Sequence, residues 1–191
     1  MNLTTNCYEY MFSGSGLKSI PEGLLPAKTL ADGCYARMFF KCFGLSVVPK
    51  GLLPAKTLAK SCYAEMFREC RELMEFPDLP ATTLAEYCYS SMFYECTSLM
   101  YGPALPATNL AVGCYANMFS NSGLLSTPGL PATTLANNCY ESMFANIPYL
   151  EDAPYLPATK LAAGCYNNMF RGCKNLISVY FCGREMGSRY T

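Results

Sequence analysis

The 191-residue chain has no histidine and no tryptophan. The commonest general base and metal ligand is therefore missing. A nucleophilic cysteine would have no imidazole to activate it. Charge of one sign is also lacking, since fourteen Lys and Arg balance fourteen Asp and Glu. That removes the basic footprint of a nucleic-acid-binding protein. No apolar run approaches the ~18–20 residues that a membrane-spanning helix needs. The start, "MNLTTNCYEYMF", has no basic stretch ahead of an apolar one and does not read as a signal peptide. Paired carboxylates such as Glu151-Asp152 occur in one variable place and read as a solvated edge. The expectation is a chain that is not an enzyme, takes no cofactor, binds no nucleic acid and does not span a membrane.

What is there is a repeat. Cys-Tyr occurs at Cys7, Cys34, Cys62, Cys88, Cys114, Cys139 and Cys165, with spacings of 27, 28, 26, 26, 25 and 26. Met-Phe begins four residues after each of these cysteines. The uneven spacings come from two spots. "SGSGL" and "SNSGL" are one residue shorter than "YECTSL", and "PEGLLP" and "PKGLLP" are two longer than "PDLP". Length changes confined to two spots mark them as loops. Fixed-period repetition predicts a stack whose units bury their apolar faces only against one another.

Within the unit around Cys88, Leu84, Ala85, Cys88, Tyr89, Met92 and Phe93 share one face at helical spacing. Thr83 reads as an N-cap, and Glu86 completes a capping box. Two residues after Phe stand Gly14, Lys41, Glu69, Glu95, Asn121, Asn146 and Gly172, which suggest a left-handed residue closing the element. The prediction is a helix of about 11 residues. A short segment follows, such as "LMYGP" from Leu99. Its middle position is mostly polar and its fourth mostly apolar or small, which predicts a very short strand. A proline ends it in all units but the last. Strands pair at ~4.8 Å and helices at ~8–10 Å, so such an array bends toward its strands. The expected fold is an α/β solenoid of seven units, right-handed and curved like a leucine-rich repeat, with short parallel strands on the concave side and short helices on the convex side. The solenoid is assigned to residues 1–176, its first unit partial, and a capping segment to 177–191 with Arg184, Glu185 and Arg189.

Met-Phe-x-x-Cys-x-x-Leu, a short strand and Leu-Pro-x-x-x-Leu together resemble the BspA-like leucine-rich repeats. Residues 67–84, "FRECRELMEFPDLPATTL", carry the pattern, and the resemblance extends over residues 3–176. Units of that family are usually shorter and have Ala-Phe where this chain has Met-Phe. The resemblance implies a cell-surface or secreted adhesin of bacteria, or a phage-encoded relative. The absent signal peptide then points to a fragment or another export route.

The twelve cysteines could form a disulfide framework or hold metal. The first cysteine of each unit falls inside the apolar face, and the second is replaced by Ser15, Ser122 or Ile147 without its partner changing. This favours reduced, buried thiols packing as small hydrophobes. The expected core ladder is Cys34, Met38, Phe39, Cys62, Met66, Phe67, Cys88, Met92, Phe93, Cys114, Met118 and Phe119. The Cys-Tyr tyrosines could form a carbohydrate or peptide platform, but their regularity favours packing with hydroxyls reaching water. Function is expected in the variable mid-strand row, Ser19, Val47, Glu75, Tyr101, Ser126, Asp152 and Ser178, with Lys18, Glu22, Lys50, Asp78 and Tyr155 beside it. The reading is a recognition or adhesion module for a protein or glycan. The alternative is a structural spacer that stacks end to end, with self-association through an uncapped first unit around Leu3 and Met11.

Overall fold

In a computed structural model, residues 2–181 and 184–187 are described, the last four by backbone alone. Units are numbered one to seven by their Cys-Tyr pair. Among the described residues no α-helix forms; the one helical element is a 3-10 turn at Lys50–Leu52. The helices expected on the convex side are replaced by ribbons of overlapping turns.

Unit four shows how a ribbon is built. The amides of Cys88, Ser90, Met92, Tyr94 and Cys96 donate to the carbonyls of Ala85, Tyr87, Tyr89, Ser91 and Phe93, three residues back. The alternate amides, of Tyr87, Tyr89, Ser91, Phe93 and Glu95, donate across to Val112, Cys114, Ala116, Met118 and Ser120 of unit five at 2.8–3.0 Å. Half of the backbone bonds thus lie within the unit and half between units, and the buried peptide groups are satisfied without a helical ladder. Every second turn has its third residue in the left-handed region: Tyr87, Ser91 and Glu95 at φ 54°, 54° and 57°.

The helical reading fails on a difference between 3.6 and 4.0 residues per cycle. Cys88, Met92 and Cys96 are eight residues end to end, and an α-helix would rotate the third away from the first by about 80°. The four-residue ribbon keeps them in line, and all three are fully buried, as are Tyr89 and Phe93. Over so few turns the two periods give nearly the same apolar pattern. The left-handed position after each Phe is present as anticipated, from Gly14 to Gly172, but it is the third of a series that begins just before Cys-Tyr.

Both aromatic ladders run the length of the stack. Tyr8, Tyr35, Tyr63, Tyr89, Tyr115, Tyr140 and Tyr166 stack in order, as do Phe12, Phe39, Phe67, Phe93, Phe119, Phe144 and Phe170. Successive ring centroids lie between 5.5 Å (Phe39–Phe67) and 6.1 Å (Tyr35–Tyr63) apart. That exceeds the ~4.8 Å spacing of hydrogen-bonded chains, so the rings are offset, the favoured geometry for stacked aromatics. Because the ribbons are themselves hydrogen-bonded to one another, the helix-to-strand spacing mismatch that would bend the array toward its strands is absent.

The expected parallel strands are also mostly missing. Single-residue parallel bridges take their place, at Ser19↔Val47 and Asp152↔Ser178 in the predicted row, and along Thr57, Thr83, Asn109, Thr134 and Lys160 in a second row. The cause is the proline two residues beyond the mid-strand position in units one to six, which has no amide to extend the pairing. In unit seven Tyr180 stands where that proline would be, and there a strand forms: β1, Ser178–Phe181, pairs antiparallel with β2, Arg184–Gly187. On its other side β1 meets unit six, where Leu156 donates to the Tyr180 carbonyl at 3.0 Å. The side chains of Arg184 and Glu185, and Cys182 and Arg189 altogether, lie outside the described residues.

Candidate functional site

Beyond the first unit the cysteine ladder is buried. Cys34, Cys62, Cys88, Cys114 and Cys139 are buried free thiols, and so are Cys42, Cys70, Cys96, Cys165 and Cys173; Cys7 in the first unit is exposed. Burial pushes the Cys34 thiol up to about 11 and the Cys88 thiol up to about 12. These thiols therefore stay protonated at neutral pH and are poor nucleophiles. The second-position thiols act as donors instead: Cys70 and Cys96 each reach 3.1 Å from the carbonyl of Phe39 or Phe67. Unit five has Ser122 at that position, and its buried hydroxyl has no hydrogen-bond partner among the described residues. The core ladder residues Met38, Phe39, Met66, Phe67, Met92, Phe93, Met118 and Phe119 are buried as well. No group of three metal-ligating side chains converges among the described residues.

The tyrosine ladder is not a platform. Tyr35, Tyr63, Tyr89, Tyr115 and Tyr140 are fully buried. Their hydroxyls were expected to reach water, yet the Tyr89 hydroxyl is buried with no hydrogen-bond partner among the described residues. Burial pushes the Tyr35 phenol up to about 12.

Two faces remain open to a partner. The first is the outer face of the ribbons. In units one to four it is cross-linked by charge: Arg37 bridges Glu9 (3.1 Å) and Glu65, Lys41 pairs with Glu69, Lys60 with Glu86, and Arg71 with Glu95. Arg68 also lies 4.4 Å from the centre of the Tyr94 ring. The carboxylates there are engaged with cations of the same face.

The second face carries the mid-strand row. Ser19, Val47, Glu75, Tyr101, Ser126 and Asp152 are exposed, and Ser178 is half-buried in β1. The residue just before the row is exposed too, which strand alternation did not foresee. Met74 is 62% exposed, Met100 55% and Leu125 44%, beside Tyr101 at 59%. Leu99 explains this: its amide closes a turn on the Cys96 carbonyl at 3.1 Å, so the chain leaves a turn there and does not run as a pleated strand. A run of Met, Met and Leu at one position in three successive units was visible in the sequence, but the assumed alternation turned it inward.

Alongside the row runs an open groove of about 610 Å³ across units four to six, lined by Pro106, Pro128, Pro131, Pro154, Tyr155 and Pro157 among others. Two strand-stopping prolines, Pro128 and Pro154, and the Leu-Pro-Ala prolines Pro106, Pro131 and Pro157 together make an apolar trough, and its rigid rings cost little side-chain entropy on contact. The same face carries Glu75, Asp78, Glu151 and Asp152, none of which has a side-chain partner among the described residues. No helix among the described residues is long and apolar enough to cross a membrane. No family model, curated protein or solved structure matches the chain.

Proposed function

We propose that the chain is a non-enzymatic recognition module, a solenoid of seven stacked units that binds a protein or glycan through the face bearing the mid-strand row. The observation that carries this is the exposure of Met74, Met100, Tyr101 and Leu125 in consecutive units beside a proline-lined groove. Other large apolar side chains are exposed too, among them Phe43, Tyr149 and Leu161, but those four lie in consecutive units beside the groove. A contiguous exposed apolar strip is the ordinary mark of an interaction surface. A place at the surface of a bacterium or phage, or secretion, is consistent with the BspA-like motif and forms part of this proposal.

The test compares the wild-type protein with Met100→Glu and Tyr101→Ser on glycan and protein arrays. A control is changed at an exposed residue of the ribbon face, Arg171→Gln. Both face variants lose binding and the control keeps it. Binding that survives both face variants sinks the reading.

End-to-end assembly is the second reading. In unit two the carbonyls of Cys34, Ala36 and Met38 accept amides of unit one, whereas the equivalent carbonyls of Cys7, Glu9 and Met11 accept none among the described residues. Met11 is 56% exposed. Light scattering over a concentration series tests it, with Met11→Glu lowering any observed mass.

A further inference from the structure

We infer that the partner on the mid-strand face is a basic peptide segment with an apolar or aromatic centre, running along the stack from unit three to unit six. This rests on the recognition reading above and narrows it from protein or glycan to one kind of polypeptide.

The segments 74–78, 100–104, 125–129 and 151–155 form this part of the face. They contain Glu75, Asp78, Glu151 and Asp152 and no Lys or Arg. The acidic residues sit only at the two ends, in units three and six. Between them lie Met100, Tyr101, Gly102, Leu125, Ser126 and Thr127. The charge pattern is therefore negative, apolar, negative.

The contrast with the ribbon face shows that these carboxylates have been left available. Glu9, Glu65, Glu69, Glu86 and Glu95 each hold an ion pair with a neighbouring unit. Glu75, Asp78, Glu151 and Asp152 hold none among the described residues, although they occupy the same stack at the same unit spacing. Like charges on one face repel and raise the local negative potential, which attracts cations and rejects polyanions.

The centre speaks against a sugar. Glycan hydroxyls need convergent donors and acceptors, and here the groove is lined chiefly by proline rings and aliphatic side chains. Such a trough takes an aliphatic or aromatic side chain. Units three and six are three steps apart, about 14 Å at ~4.8 Å per step. An extended peptide rises ~3.3 Å per residue, so about four or five residues span the gap. The expected ligand has Lys or Arg near both ends of such a stretch and one or two large apolar residues within it. Exposed methionines suit this role because the side chain adapts its shape to the partner.

The experiment is selection of a random peptide library displayed on phage against the intact protein, with Met100→Glu/Tyr101→Ser as the counter-selecting surface. Enriched peptides are expected to carry basic residues on both sides of an apolar centre. Measured by fluorescence anisotropy as synthetic peptides, they should bind the Glu75→Gln/Asp152→Asn variant at least tenfold more weakly. Their affinity for wild type should fall with added salt. Both variants should melt with the wild type, since the changed side chains are exposed. Enrichment of neutral or acidic peptides overturns the inference, as does indifference to the two neutralised carboxylates or the absence of any enrichment. Concentration-dependent dimerisation abolished by Met100→Glu would make a second copy the occupant and overturn it equally. Glycan binding that still depends on Tyr101 would leave the recognition reading standing while this inference falls.

Discussion

Units two to four and units five to seven solve one backbone problem in two ways. Each ribbon needs three left-handed residues. In units two to four only Gly33 is a residue suited to that conformation; the others are Arg37, Lys41, Ser61, Glu65, Glu69, Tyr87, Ser91 and Glu95. In units five to seven all but Ser142 are Gly or Asn: Gly113, Asn117, Asn121, Asn138, Asn146, Gly164, Asn168 and Gly172. A side chain other than Gly or Asn costs roughly 1–2 kcal/mol there. The ion pairs among the described residues all lie between Glu9 and Glu95. Where the backbone is held at a cost, charges of alternating sign tie one unit to the next; where Gly and Asn remove the cost, no ion pair joins the units among the described residues, and Asn167 instead donates to Glu141 of unit six at 3.1 Å. In the second half the side chains of Asn138 and Asn146 lie over Gly164 and Gly172, where a Cβ would collide with them. The core beneath both halves is the same.

The largest effect should fall on both halves alike, in alkali. Burial raises the thiols of Cys34 and Cys139 to about 11, that of Cys88 to about 12, and the Tyr35 phenol to about 12. In the unfolded chain a thiol ionises near ~8.5. Stability from these groups is complete below that value and is lost as pH rises through the folded values, because only the unfolded state gives up the protons. Melting temperatures should therefore be flat to about pH 8 and fall steeply between about 9 and 12, in one transition reported by both halves. Two separated alkaline transitions would break the claim of a common core.

Next in size is the core itself. Phe67→Ala and Phe144→Ala each empty a fully buried ring site, one in each half, and should each cost ~3–5 kcal/mol in denaturant unfolding. A large inequality would mean that the outer faces, charged or amide, reach into the packing.

How much of this was legible in the sequence depends on which pattern is taken. The Cys-Tyr spacing located the units, and the aligned residues are hydrogen-bonded neighbours. The missing proline at Tyr180 coincides with the one place among the described residues where strands form. The ribbon was hidden because Cys-x-x-x-Met-x-x-x-Cys fits a helix and a four-residue cycle almost equally. The signal that separates them is Gly113, Asn117 and Asn121, three residues disfavoured in helix interiors, spaced by four. Units two to four conceal that signal behind Arg, Lys, Glu and Ser, and the helical reading was built on unit four, on the apolar face from Leu84 to Phe93 and the caps Thr83 and Glu86. At the candidate site, Tyr101 was visible as a variable position. Met74, Met100 and Leu125 were not, because their exposure depends on a turn that only the fold supplies.

A smaller effect separates two glycines at one position of the repeat. Gly16 in unit one and Gly123 in unit five both belong to the shortened turn. A Cβ at Gly16 meets nothing within 4 Å, whereas at Gly123 it meets the carbonyl oxygen of Thr97, a backbone atom of the preceding unit. Gly123→Ala should cost ~1–3 kcal/mol as overpacking against a fixed neighbour. Gly16→Ala should be neutral or stabilising by ~0.4–1 kcal/mol through the unfolded state. Equal outcomes in thermal melts would mean that the stack adjusts its unit spacing freely.

The smallest effect probes the comparison most directly. Ser142 is the one left-handed position of the second half without Gly or Asn, and its uncharged side chain forms no ion pair. Replacing it by glycine removes roughly 1–2 kcal/mol of left-handed strain and loses ~0.5–1 kcal/mol to the greater freedom of glycine in the unfolded chain. Ser142→Gly should therefore stabilise by ~0.5–1 kcal/mol. Glu65→Gly makes the same backbone change in the first half, but it also removes the pairs with Arg37 and Arg68. Partly exposed pairs contribute ~0–1 kcal/mol each, so the gain should vanish or reverse. Raising the salt concentration weakens the pairs and leaves the backbone term alone. The two variants should accordingly converge in high salt, with Glu65→Gly rising toward Ser142→Gly relative to wild type. If Glu65→Gly stabilises as much as Ser142→Gly at low salt, the charges do nothing to offset the strain, and the two halves differ only in composition.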